Sequence, residues 1–318
     1  MNQLPENWDK QQQELGASIL QSRSWAGVQL ALGRRIFFDA DQKWSWLGFE
    51  NKTKGFRYLM IPYGPTIVGE EASAFASITK TAKQQGFDFV RLEPHGTVSD
   101  SDITKSGAIK TTAINPQHTH LIDLRGGEEE LRKSLGSSLR NLINSTERRG
   151  LKIVVSDSAS DLDQLFAMLD ETAQRAGVKF HTHEYLKTVW EAMRKADCIK
   201  LYMALHDGQP VAGALFYDYN GVRYYAHAGA KQELNRKLNA STSLLWQAII
   251  DAEGLGMHTF DMWGVAPDND PKHKWAGISA FKRSFGGSSV AYPGTYDIPI
   301  KKSKYRLYRS LRALRGQH

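Results

Sequence analysis

Cysteine is nearly absent: Cys198 is the only one in 318 residues. That excludes a disulfide framework and makes the cytoplasm the natural compartment. Apolar runs are short, and none approaches the ~20 residues that a membrane-spanning helix requires. The polar opening MNQLPENWDKQQQE lacks the features of a signal peptide. Two phosphate-binding fingerprints are missing: there is no GxxxxGKS/T and no GxGxxG. This argues against a P-loop and against a dinucleotide site. Metal-ligand clusters are missing too. His118 with His120, and His181 with His183, each put two imidazoles on one side of an extended chain. No cysteine or acidic cluster supplies further ligands, so no metal is expected.

Acid is absent from one place. Residues 301–318 carry Lys301, Lys302, Lys304, Arg306, Arg309, Arg312 and Arg315 but no Asp or Glu. The chain has 41 basic and 34 acidic residues, a net charge of +7, so this tail accounts for the whole excess. A basic tail on a balanced body suits a phosphate-bearing partner, either nucleic acid or an anionic membrane surface.

The length is that of about two domains. Spacing predicts helices over residues 8–21, 72–85, 128–149, 162–175, 184–194, 242–254 and 304–315. Strands are expected over 28–38, 44–49, 57–61, 87–92, 119–124 and 151–156, then a meander over 199–206, 211–219 and 222–227. Residues 93–117 read as loop. In the helix over 128–149, Leu131, Leu135, Leu139, Leu142 and Ile143 form the apolar face, and Arg132, Lys133, Arg140, Arg148 and Arg149 the basic one. In the tail helix, Tyr305, Leu307, Tyr308, Leu311 and Leu314 are expected to pack inward and the arginines to stay wet.

The chain is organised around residues 257–287, MHTFDMWGVAPDNDPKHKWAGISAFKRSFGG. A short strand leads into a Pro- and Asp-rich loop and then into what reads as a tight turn. Lys282 sits there between Phe281 and Phe285. An ammonium among aromatics, screened from water, suits the stabilisation of developing negative charge. The alternative is a surface lysine between core aromatics. Asp261, at the strand end, is positioned to orient an amine or to serve a structural hydrogen bond. Tyr225 and His227 alternate onto one strand face, with Tyr224 on the other.

In order, YGPTIV (63–68), LRKSLGSSLRNLINSTERRGLKIVV (131–155), YYAHAGA (224–230), LNASTSLLWQAIIDAEGLG (238–256), FDMWGV (260–265) and GISAFKRSFGG (277–287) closely resemble the FemABX family of peptidoglycan-bridge aminoacyltransferases. The resemblance covers most of the chain. It implies an α+β fold of two GNAT-like domains in tandem. The first is expected over 1–148 plus 290–318, the second over 149–289. No sustained heptads are present, so the coiled-coil arm of some members is not expected.

It further implies transfer of an amino acid from aminoacyl-tRNA to an amine of a muropeptide precursor, nucleotide- or lipid-linked, with no cofactor. Lys282 would be the oxyanion cation, with the Phe281 backbone placing the acceptor amine and Asp261 assisting. Arg34, Arg35, Tyr63, His181, Tyr225 and His227 would line the acceptor site. Gln29 stands where a family lysine is expected, and His181 or His183 where an arginine is. Arg140, Arg148, Arg149, Arg306, Arg309 and Arg312 would meet tRNA or membrane, and no protein partner is implied.

Two rivals remain. An acyl-CoA N-acyltransferase would need the turn R/Q-x-x-G-x-G/A before a helix, where this chain reads ELNRKLNAST, without glycine. A non-catalytic nucleic-acid- or membrane-binding protein would leave Lys282 without a purpose.

Overall fold

The computed structural model describes residues 3–176 and 181–314. The chain opens with α1 (Trp8–Glu14) and α2 (Arg23–Ala31). Next come β1 (Ile36–Ala40), β2 (Trp44–Thr53), β3 (Phe56–Ile61), β4 (Thr66–Ile67), α3 (Glu71–Gln84), β5 (Phe89–Leu92), β6 (His95–Gly96), α4 (Asp100–Lys105) and β7 (Ile109–Lys110). After β8 (His118–Asp123) come α5 (Gly127–Ser134), α6 (Ser137–Asn144), β9 (Leu151–Ser156), α7 (Ala159–Ala176) and α8 (His183–Arg194). The meander β10 (Ile199–His206), β11 (Gln209–Tyr219) and β12 (Val222–Ala230) leads to α9 (Gln232–Leu238) and α10 (Ala240–Gly254). Then follow β13 (Thr259–Gly264), α11 (Ala276–Arg283), β14 (Ser288–Ala291), β15 (Tyr296–Pro299) and α12 (Lys302–Ala313).

Two compact units result, residues 1–117 with 291–318, and residues 118–290. The first crossing therefore falls about thirty residues before the one expected from the sequence. The reason lies in pairing and burial. β8 pairs with β13, Thr259 opposite Asp123 and Phe260 opposite Ile122. Leu131, Leu135 and Ile143 fill the second core together with Trp246, Phe260 and Phe285.

Among the described residues, the sheet of the first unit runs β6-β4-β2-β3-β5-β15-β7, with β1 on β2. The sheet of the second runs β14-β8-β13-β12-β11-β10-β9. In the first unit, β15 enters between β5 and β7, so residues that follow the insertion complete the sheet. A buried ion pair fastens it: Arg91 Nε and Nη2 donate to the two carboxylate oxygens of Asp297 at 2.8 and 2.7 Å.

Several elements depart from the periodicity reading, each for a local reason. Gly16, at φ +69°, ends α1 early. The Ser22 hydroxyl then accepts from Trp25 N–H, starting a helix where a strand was expected from residue 28. The helix over 128–149 is broken between α5 and α6, because Leu135 and Gly136 take extended backbone. The stretch 93–117 holds α4, capped by Ser99. The tight turn around Lys282 is α11. In α12, Tyr305 is buried and Tyr308 half-buried, while Leu307, Leu311 and Leu314 face outward. Arg315 lies outside the described residues.

Candidate active site

The second sheet comes apart at one point. β12 and β13 pair in parallel from Val222 opposite Thr259 to Tyr224 opposite Asp261, and the ladder stops there. β12 continues to Ala230 along β11 and β13 to Gly264 beside β8, so past Asp261 the two strands are no longer paired with each other. Such a splay leaves a notch at the C-terminal end of a parallel pair, the usual place for a ligand in α/β sheets.

A bulge sits on each side of the notch. Register shifts between β13 and β8 at Asp261/Gly264, and Trp263 takes φ +58°. A bulky residue in the left-handed region is a genuine outlier that the surroundings must enforce. Here Trp263 N–H donates to Asp261 Oδ1 at 2.7 Å, and its ring packs edge-on to Tyr224 and Tyr217. The second bulge is on β12. Phe216 pairs with Tyr225 but Leu215 with His227, leaving Ala226 as the extra residue.

That second bulge overturns the simple alternation. Tyr225 faces the core, stacked on Phe216 at 5.5 Å. His227 is turned to the other face, where its Nε2 meets the Tyr217 hydroxyl at 3.1 Å. His181 reaches the same place, edge-on to His227 at 6.0 Å and stacked on Tyr185 at 4.3 Å. Burial pushes His227 down to about 3, so it is neutral at physiological pH.

Lys282 comes from α11. Its side chain is 8% exposed, its Nζ donates to Gly264 O at 2.7 Å, and it lies 5.7 Å from the Tyr225 ring centre. Burial pushes the ammonium down to about 8, opposed by the nearby Asp261 carboxylate. Asp261, 6% exposed, is pushed up to about 6 by burial, against hydrogen bonds from the Thr119 hydroxyl and Trp263 N–H and the charge of Lys282. A buried acid and a buried ammonium, each moved toward neutrality and each acting on the other's charge, are a candidate proton-handling pair.

The polar loop after β13 is pinned to α11. Ala266 N–H donates to Ser279 Oγ at 2.7 Å, and Arg283 donates to Ala266 O and pairs with Asp268, both at 2.6 Å. The far end of α11 rests on glycines. Gly287 has φ +94°, and a Cβ there would strike the Leu121 carbonyl oxygen of β8. Next to it, His120 Nε2 donates to Gly286 O at 2.7 Å. Gly287→Ala is accordingly expected to lower stability by about 2 kcal/mol or more, read as a shifted urea midpoint.

Of the residues named from sequence, Lys282, Asp261 and Tyr225 come together here, while His227 and His181 meet each other on the opposite face, beside Tyr217. Phe281 contributes its ring, edge-on to Phe285 at 5.4 Å. Its carbonyl already accepts from Ser284 N–H and Oγ at 3.3 and 2.7 Å, which leaves no lone pair for a substrate amine. Arg34, Arg35 and Tyr63 lie in the first unit. Arg34 donates to Gln29 at 2.8 Å, and Arg35 reaches Glu50 and Gln85. The Tyr63 hydroxyl is taken by Pro116 O at 2.9 Å.

Arg149 is half-buried and turned inward, donating through Nη2 to Leu142 O and Ser243. Arg148 remains exposed and Arg140 half-exposed. Arg312 reaches Thr111 at 3.3 Å, while Arg306 and Arg309 are exposed. Among the described residues, no cluster of three or more His, Cys, Asp or Glu could hold a metal ion. Sequence reasoning missed Thr119, Trp263 and the Gly264 carbonyl, whose roles depend on the bulge.

The position that holds the pyrophosphate in acyl-CoA enzymes is filled differently here. ELNRKL folds into α9, whose Gln232 N–H donates to the Glu171 carboxylate at 3.0 Å. At the start of α10, Ser241 N–H donates to Asn235 Oδ1 at 2.8 Å. Side chains thus occupy N–H groups that a phosphate would need, and one of those side chains is an anion.

Comparison with known proteins bears on the fold. The acetyltransferase (GNAT) domain family matches residues 132–283. Over 110 residues the chain is 26% identical to the aminoacyltransferase FemA of Staphylococcus epidermidis. That alignment takes in 35% of this chain and spans about a quarter (26%) of the relative's length. The structure is similar to that of FemX, with a TM-score of 0.83 over 96% of this chain and 98% of the other at 15% identity. L-PGS from Bacillus licheniformis gives 0.60 at 17% identity over 94% and 92%. A tandem GNAT protein from the clavulanic acid biosynthesis pathway gives 0.56 at 12% over 94% and 97%. The fold is α+β, two GNAT-like domains in tandem, with no coiled-coil arm among the described residues. The GNAT domain match and the FemX likeness agree on the fold, and the FemA alignment is a sequence likeness over about a third of this chain.

Proposed function

We propose that this protein moves an amino acid from aminoacyl-tRNA to an amine on the peptide of a peptidoglycan precursor, nucleotide- or lipid-linked, on the cytoplasmic side and without a cofactor. The observation that carries the reading is the buried Lys282–Asp261 pair at the splayed end of β12 and β13. The occupied N–H groups of α9 and α10 weigh against acyl-CoA as donor.

The chemistry asks little of the protein, since the ester donor is already activated and the amine needs positioning. The amine nitrogen attacks the ester carbonyl and forms a tetrahedral oxyanion. One Lys282 N–H is committed to Gly264 O, and the other two are available to the oxyanion. Asp261 accepts the proton that the amine loses. As the carbonyl re-forms, the ribose oxygen leaves and takes up a proton, giving amide and free tRNA.

The roles fix a pH profile. Asp261 works ionised and Lys282 protonated. The rate should therefore rise as pH passes about 6 and fall as it passes about 8. Asp261→Asn is expected to lose the rising limb and to slow transfer about 10²-fold or more, measured in single-turnover assays.

The reaction itself is tested with a mixed pool of charged tRNA carrying labelled amino acids, offered lipid-linked and nucleotide-linked muropeptide. Label on muropeptide with wild type and none with Lys282→Met is the expected result. Tight acetyl-CoA binding in a calorimeter, with no transfer from tRNA, would replace this reading by the acyl-CoA one.

A further inference from the structure

α12 has two apolar faces, and the first unit uses only one. Tyr305 and Tyr308 face inward onto Phe89 at 5.5 and 4.8 Å, and the Tyr305 hydroxyl donates to Asp297 at 3.0 Å. Arg312, one turn further on, faces the same way to Thr111. The opposite side carries Leu307, Leu311 and Leu314, which are 55%, 37% and 84% exposed. Their spacing of four and three residues sets them in one stripe along the helix. Scattered exposed leucines need no explanation, but three in line on one helix do.

The stripe is bordered by cations. Lys304 lies on one flank and Arg306 on the other, with Lys302 and Arg309 further round, all exposed. The sequence from 301 onward contains no acid. Lys301 and Lys304 are partly engaged with Asp88, at 3.1 and 3.4 Å. For Lys302, Arg306 and Arg309, no ion pair occurs among the described residues.

We propose that the outer face of α12 lies in the interface of an anionic phospholipid bilayer, leucines among the acyl chains and basic residues at the headgroups. An amphipathic helix with cations beside its apolar stripe has this mode of binding. A nucleic acid would use the cations but gain nothing from three exposed leucines. A second copy of this chain would bring cations against cations. Among these partners, only an anionic lipid surface satisfies both halves of the face. The inference does not depend on the donor or the acceptor of the transfer reaction.

The test is co-sedimentation of the full chain with phosphatidylcholine vesicles, with and without phosphatidylglycerol, at low and high salt. Two variants are compared, Leu307→Ser/Leu311→Ser/Leu314→Ser and Arg306→Gln/Arg309→Gln. All these side chains are exposed, so circular dichroism and melting should match wild type. The expected result is binding to phosphatidylglycerol vesicles alone, weakened by salt and reduced about tenfold or more in each variant.

Three results would overturn the proposal. One is a wild type that fails to bind phosphatidylglycerol vesicles. Another is a serine variant that binds them as well as wild type, with uncharged tRNA competing for the arginines, which would make the surface an RNA contact. The third is a wild-type dimer in light scattering that the serine variant lacks, with no vesicle binding, which would make the stripe a contact between copies.

Discussion

Lys282→Met is expected to slow transfer by about 10²–10³-fold, the usual loss for one oxyanion donor, while the protein becomes harder to melt. The two effects have one cause. Burial holds the Lys282 ammonium at about 8 instead of 10.5, which corresponds to a penalty on the order of 3 kcal/mol for keeping it charged. Methionine has similar length and adapts to the same space without that penalty. Losing the bond to Gly264 O returns about 1 kcal/mol of the gain.

The sign can be followed with pH. Because the folded-state value is depressed, the folded chain binds fewer protons than the unfolded one between about pH 8 and 10.5, so wild type gains stability as pH rises through that window. The advantage of the methionine variant is therefore full below about pH 8, shrinks across that window and is gone above about pH 10.5. Paired melting curves and single-turnover rates check both halves. A rate near wild type would remove Lys282 from the chemistry. A clear fall in melting temperature would make it a structural strut for the Gly264 bulge.

The same lysine marks what the sequence could and could not disclose. FDMWGV and GISAFKRSFGG are legible as a strand and a lysine-bearing segment, and Lys282 as a cation among aromatics. Their geometry is not. Glycines at 277, 286 and 287 make the segment read as a turn, yet α11 forms because the Ser279 and Arg283 side chains tie it to the preceding loop. Those bonds are tertiary, and no local preference announces them. The bulges at Trp263 and Ala226 likewise shift which residues share a face. Alternation assigned His227 to the side of Tyr225, and one extra residue was enough to reverse it.

Other misses have the same origin. Spacing gives α12 an apolar side but cannot say whether tyrosines or leucines meet the body. Tyr305 is chosen because its hydroxyl reaches the buried Asp297. The break at Gly136 was hidden because Leu135 and Leu139 both pack on the second core, so the apolar pattern runs on through a backbone that does not.

Arg91→Leu should be the most destabilising of the substitutions considered, by about 3–5 kcal/mol, because it leaves a buried carboxylate without its cation. Asp297 is fully buried, and among the described residues its oxygens have, apart from Arg91, only the Tyr305 hydroxyl as a side-chain partner. The pair holds β15 against β5, so residues returning after the 118–290 insertion are the ones released. α12 follows β15 directly and would lose its seat with it. The double variant Arg91→Leu/Asp297→Leu removes both charges and should recover most of the loss, since a buried pair exchanged for apolar residues is often close to neutral.

Urea unfolding at neutral pH checks both variants. The expected result is a large deficit in Arg91→Leu and a small one in the double variant, because the cost lies in the carboxylate left behind and not in the lost contact. Equal deficits in both variants would mean that packing around β15, and not the charge left behind, holds the returning strand in place.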